Sequence, residues 1–257
     1  MDLLEYRDSE NEQRHPWETA RFEVMQSLLK KHILQTPKTI ADIGCGDTFV
    51  VNSLAHKFPS SQFFAVDTAF TNEDIKQFKS NSKTDNIQII RDLNGINSQS
   101  QSLDLILLMD VIEHIEHDHQ FLKELVNHDF VQNESLFFIT VPAYQSLYSA
   151  HDKHLLHYRR YNRNKLVKTL KDSGLEILDS GYFFSSLVGV RIIQKMQESI
   201  LGAKDQKGLA EKNYSRKKAE LLKSFLLLDF RISRVFHKLH INIPGLSSYA
   251  ICRKSVS

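Results

Sequence analysis

Six of the twelve histidines stand in two short runs that also carry carboxylates. One run is Glu113-His114-Ile115-Glu116-His117-Asp118-His119. The other is His151-Asp152-Lys153-His154-Leu155-Leu156-His157-Tyr158-Arg159-Arg160-Tyr161. A histidine titrates near neutral pH, so either run can supply a base that takes a proton from a hydroxyl nucleophile, with Asp152 or Glu113 orienting the ring. Carboxylates and imidazoles together can instead hold Mg, Mn or Zn, and Asp110, Glu113 and His114 with one of His151, His154 or His157 form such a set. The third reading makes these groups structural or surface residues. The guanidinium forks of Arg159 and Arg160 suit an anionic substrate group, or else pair with the protein's own acids. Tyr144 and Trp17 are candidate walls of a substrate pocket.

A second constellation precedes these runs. Asp42-Ile43-Gly44-Cys45-Gly46-Asp47-Thr48 follows a predicted strand and opens a predicted helix. Glycines there let the chain turn sharply and let a ligand approach the backbone. Asp67 ends the next predicted strand, 21 residues after Gly46, where an acidic side chain accepts from a ribose diol. The third glycine of a dinucleotide fingerprint is replaced by Phe49, and Asp47 is a poor neighbour for a pyrophosphate. Asp42 and Asp47 suit a cationic ligand without phosphate, which on electrostatic grounds favours S-adenosylmethionine (SAM) over NAD.

The elements that must position these residues alternate between strand and helix. Strands are predicted over 38–43, 62–67, 86–91, 103–109, 135–141, 175–183 and 247–253. Helices are predicted over 16–34, 48–57, 72–80 and 117–128, and again after Asn162 or Asn164 up to Gly174. Residues 142–161 read as a loop and 185–240 as mainly helical. Nearly all-apolar strands separated by helices predict a doubly wound α/β sheet of the Rossmann-like type, covered on both faces.

The spacing around Asp42, Gly44 and Gly46 resembles motif I of class I SAM-dependent methyltransferases, whose third glycine would fall at Thr48. The resemblance implies that this loop holds the methionine part of SAM and that Asp67 binds the ribose. It also implies that Asp92 and Leu93 meet the adenine, with Asp92 accepting from the exocyclic amine. The segment Leu103 to His114, with Met109, Asp110, Glu113 and His114, resembles motif IV of the ubiquinone-biosynthesis type and adds Met109 and Asp110 to the cofactor side. The implied fold is a seven-stranded sheet whose last strand is antiparallel, with a helical insertion. The metal-ligand set resembles that of metal-dependent methyltransferases acting on catechol-like or RNA 2′-hydroxyl groups, which have Glu where Asp110 stands. The second histidine run, with Arg14-His15-Pro16-Trp17-Glu18 and Arg21, is similar to a bacterial subgroup with an HD…H.RRY signature. On that resemblance His151 is the first candidate for the base and His157 the second. The implied reaction is methyl transfer to a small-molecule, glycan or lipid-linked acceptor, with an oxygen nucleophile expected. A non-catalytic SAM-binding scaffold and an NAD-dependent oxidoreductase are the alternatives.

Length and composition are those of one globular domain of 257 residues. Within it, 1–35 reads as an N-terminal helical lid, 36–184 as the SAM-binding core, 185–245 as a helical substrate cap and 246–257 as the final strand. No apolar leader or span of 18 apolar residues is visible, and two cysteines make no disulfide framework, so a cytoplasmic protein is expected. Charge is uneven. Residues 1–184 carry 19 Lys+Arg against 26 Asp+Glu (−7), whereas 185–257 carry 14 against 5 (+9). The acidic body argues against nucleic acid as a partner. In the basic third, Leu221, Phe225, Leu228, Ile232, Val235 and Leu239 form one helical stripe, expected to pack inward over the sheet or the active-site mouth. The other reading of 214–240 is peripheral contact with the inner face of a membrane.

Overall fold

The computed structural model describes residue 3 and residues 14–82, 84–96, 102–201, 215–239 and 241–255, without the side chains of 198–201. Seven strands form one sheet: β1 (Thr39–Ile43), β2 (Gln62–Val66), β3 (Ile87–Ile90), β4 (Leu105–Met109), β5 (Leu136–Pro142), β6 (Leu175–Phe183) and β7 (Ser247–Lys254). Their order is β3-β2-β1-β4-β5-β7-β6, with the first five parallel and β7 antiparallel to both of its neighbours. Every residue of β1 and β4 is buried, as required of strands covered on both faces.

Side-chain alternation splits the core in two. Ile40, Leu105, Leu107 and Met109 face α1 (Pro16–Leu29), α2 (Phe49–Lys57) and α3 (Asn72–Asn81). Ala41, Ile106, Leu108 and Ile139 face α4 (Asp118–Val126) and α6 (Arg163–Asp172). α3 starts at a capping box in which Thr71 and Asp74 satisfy each other's backbone N–H. Asn162, not Asn164, caps α6 by accepting from the Lys165 N–H. Gly174 at φ +91° follows its end.

Three expectations about elements are corrected. The first helix stops at Leu29 rather than running to 34, and Leu34 is 92% exposed. Ile33 still packs against the core from outside the helix, but Leu34 does not. The 142–161 segment contains α5 (Ala150–His154), opened by a capping box of Ser149 and Asp152. The basic third holds α7 (Ser186–Leu201) and α8 (Arg216–Lys238). α8 docks through Leu226 and Phe230, while Leu221, Phe225, Leu228, Ile232, Val235 and Leu239 all face outward. The stripe expected to pack inward therefore lies on the opposite side of the helix. Its periodicity was legible, but α8 is apolar on two sides and the longer row is the outer one.

Candidate active site

The parallel strands point their C-terminal ends at one edge of the sheet, where ligands bind in such folds. A cavity of about 1060 Å³ opens there. Its floor is the β1–α2 turn. Gly44 and Gly46 have φ of +70° and +53°. A Cβ on Gly44 would stand 2.6 Å from the Val111 side chain. The Asp67 carboxylate accepts from the Gly46 N–H at 3.0 Å and from the Ala69 N–H at 3.0 Å, so it fastens the turn while lining the cavity.

Asp42, Gly44, Gly46, Asp67, Asp92, Leu93, Met109 and Asp110 all border this cavity. Burial, reinforced by Asp67 and Asp47, pushes the Asp42 carboxyl up to about 7. Asp92 also accepts from the Asn94 N–H at 2.8 Å. Asp47, expected to add negative charge for the ligand, turns instead to the Arg14 guanidinium and is not among the lining residues. The Arg21 guanidinium on α1 pairs with Asp110 and stacks 4.5 Å above the Trp17 ring. Trp17 lines the cavity, and its buried indole N–H has no hydrogen-bond partner among the described residues.

The other wall joins both histidine runs. Glu113 is fully buried, and neither of its carboxylate oxygens has a hydrogen-bond partner among the described residues. Burial, reinforced by Asp110, raises its pKa well above the carboxylate range. His114 meets the edge of His157 with ring centroids 4.5 Å apart. The ligating atoms of Glu113, His114 and His157 lie within 4.8 Å of one another. His157 shares a 2.9 Å hydrogen bond between its Nδ1 and the buried Asp152 carboxylate. Asp152 also takes two bonds from Arg160, at 2.6 and 3.0 Å, and lies 3.9 Å from Arg191. Burial alone would raise the Asp152 pKa, but the bonds from His157 and Arg160 hold it well below the usual range. His151 also lines the cavity, and burial with the Arg191 charge lowers it to about 4.

Several expected substrate residues serve the protein itself. Arg160 borders the cavity, but its guanidinium is spent on Asp152 and the Ala143 carbonyl. Arg159 lies outside the lining and ties Asp118 and the Glu116 carbonyl to the second histidine run. Tyr144, at φ +61°, stacks on Tyr182 at 5.3 Å, away from the cavity. His154 is also outside the lining, which removes it from the metal set. Two cavity cations, Arg21 and Arg191, were missed. Arg21 was visible within the Arg14–Arg21 signature, but nothing in the sequence marks Arg191, which reaches the cavity only through the fold of α7.

Comparisons with known proteins bear on the fold and on one domain of the chain. A family model described as a methyltransferase domain matches residues 41–128. No curated protein matches the chain. Among solved structures, the plantazolicin methyltransferase BamL, in complex with a triazolic desmethylPZN analog and SAH, aligns over 94% of this chain and 86% of its own at 15% identity, TM-score 0.56. The [4+2]-cyclase SpnF aligns over 96% and 86% at 15% identity, TM-score 0.56. Coclaurine N-methyltransferase bound to N-methylheliamine and SAH aligns over 91% and 70% at 13% identity, TM-score 0.54. The chain has the fold of the class I SAM-dependent methyltransferases, and residues 41–128 match a methyltransferase domain.

Proposed function

We propose that the chain transfers the methyl group of SAM to an oxygen of a small-molecule, glycan or lipid-linked acceptor. One observation carries the reading: a single cavity joins the glycine turn, with Asp42 and Asp67, to a histidine already oriented by a buried carboxylate. Bound SAM supplies the activated methyl group. The acidic Asp42 side suits its cationic end, and Gly44 and Gly46 border the cavity without side chains. Asp67 and Asp92 are proposed to meet the ribose and adenine. Among the bases, His157 replaces His151 as first candidate. Asp152 fixes its ring and stabilises the imidazolium that forms when it takes a hydroxyl proton. His151, with a pKa near 4, is a weak proton acceptor.

Titration calorimetry with SAM, S-adenosylhomocysteine and NADH tests the cofactor. Transfer of a tritiated methyl group into fractionated water-soluble and lipid extracts then tests the acceptor. NADH binding without SAM binding would sink the reading, and SAM binding with no transfer into any fraction would favour a scaffold.

A second reading rests on the Glu113–His114–His157 group. The residues fit a divalent metal: Glu113 has no hydrogen-bond partner among the described residues, and the bond that Nδ1 of His157 donates to Asp152 leaves Nε2 for a ligand. When bound, such a metal would polarise an acceptor oxygen. Metal analysis of the purified protein, and activity in EDTA with and without added Mg, Mn or Zn, separates it from the metal-free reading.

A further inference from the structure

We propose that the outer face of α8 is a docking surface for an anionic membrane. α8 is anchored by Leu226 and Phe230, which are buried on the sheet side. Its other side leaves Leu221, Phe225, Leu228, Ile232, Val235 and Leu239 uncovered, with Leu221 72% and Leu239 64% exposed. At about 1.5 Å rise per residue this row is about 27 Å long. Isolated exposed apolar residues are ordinary, but a continuous row of this length marks an interaction site.

Charge identifies the occupant. Two cations of α8 are neutralised within the fold, Lys223 by Glu23 and Arg234 by Asp179. Arg216, Lys217, Lys218, Arg231 and Lys238 are exposed and have no ion-pair partner among the described residues. Glu220 is the one exposed acid among the residues of α8. An apolar row flanked by unpaired cations matches a bilayer surface: the row enters the acyl boundary and the cations meet anionic headgroups. A second copy fits poorly, because a two-fold contact would bring this basic strip against itself. No helix among the described residues is long and apolar enough to cross a membrane, so the contact is peripheral.

The neighbouring α7 connects this surface to the cavity. It directs Arg191 and Gln194 into the lining and leaves Val190, Ile193 and Met196 exposed. α7 and α8 meet through Ser185 and Ser233 at 3.0 Å and through the Ser186 N–H and Asp229 at 3.3 Å. A docked α8 thus holds an element of the cavity wall near the lipid, which selects an acceptor carried by the bilayer. The membrane contact itself does not rest on the methyl-transfer reading.

The test is flotation of the full chain, without SAM, on vesicles of phosphatidylcholine alone and of equal parts phosphatidylcholine and phosphatidylglycerol. The protein should float with the anionic vesicles, at least tenfold more than with the neutral ones, and detach as salt is raised. Phe225→Glu with Ile232→Glu, and separately Lys217→Glu with Arg231→Glu, should each lower flotation at least tenfold. SAM affinity and thermal unfolding should be unchanged. Failure of the wild type to float, or equal flotation of folded variants, would overturn the proposal. So would a dimer in light scattering that the Phe225→Glu, Ile232→Glu pair dissociates. Normal flotation with no SAM binding would leave this proposal standing and refute the methyl-transfer reading.

Discussion

Gly44 holds φ +70° with Val111 packed where a side chain would begin. Any other residue there is strained, by roughly 1–2 kcal/mol for the left-handed backbone alone, and a branched one also displaces Val111. Gly44→Val is expected to abolish SAM binding in calorimetry, and unchanged affinity would detach the turn from the cofactor. Asp42 gives a pH signature. Its carboxyl is raised to about 7 by burial, and a cationic ligand favours the ionised form. Binding SAM therefore expels a proton below that pH. Affinity should be flat above about pH 8 and fall by up to about tenfold per unit below about pH 7. Calorimetry in two buffers of different ionisation heat reads the released proton directly. The base assignment also belongs to single residues. His157→Ala should lower transfer by about 10²–10⁴-fold, as for a general base, while SAM affinity holds. His151→Ala should cost much less, and the opposite ranking would restore His151. The glycines, Asp42 and Asp67 were readable because a backbone turn demands particular residue types at fixed spacing. The choice between His151 and His157 was not, since it depends on which ring Asp152 reaches.

Among the elements, the segment between β5 and α6 is held by one buried anion. Asp152 caps α5, receives two bonds from Arg160 and orients His157. Asp152→Ala strands the Arg160 guanidinium, which is itself only 5% exposed. A loss of about 3–5 kcal/mol in urea unfolding is expected, the scale for breaking a buried pair. The sign with pH follows from its depressed pKa. The ion pairs contribute fully above the unfolded carboxylate pKa of about 4, and that contribution is lost progressively as pH falls below it. A wild-type stability that did not decline relative to Asp152→Ala in acid would contradict this. The sequence suggested a loop here because the pattern of His, Lys and Leu has no long helical period. What orders it is a buried polar network, and such networks leave no periodic trace. The sequence left open whether Arg159 and Arg160 clamp a substrate or pair with the protein for the same reason: the acids they meet in the structure, Asp118 and Asp152, leave no periodic trace.

At the scale of the whole molecule, the positions of the seven strands and the covering of the sheet on both faces were legible, because strands buried on two faces read as nearly continuous apolar runs; their order in the sheet was not. The direction of α8 was not, since periodicity reports a stripe without saying whether the sheet or the solvent receives it. The N-terminal helix shows how distant parts close on one site. α1 reaches the glycine turn through Arg14 and Asp47, the end of β4 through Arg21 and Asp110, and α8 through Glu23 and Lys223. Trp17, Glu18 and Arg21 of α1 line the cavity, and so does Asp110. A ligand leaving past α1 must therefore loosen these ties. Arg21→Ala removes the central one and frees Asp110, at the cost of a charged hydrogen bond worth about 1.5–3 kcal/mol. SAM should then dissociate at least tenfold faster in stopped-flow measurements, and amide exchange over 16–29 should rise in the SAM-bound protein. Unchanged dissociation with normal exchange protection would show that α1 is fixed cover and that the ligand leaves by the side of α7.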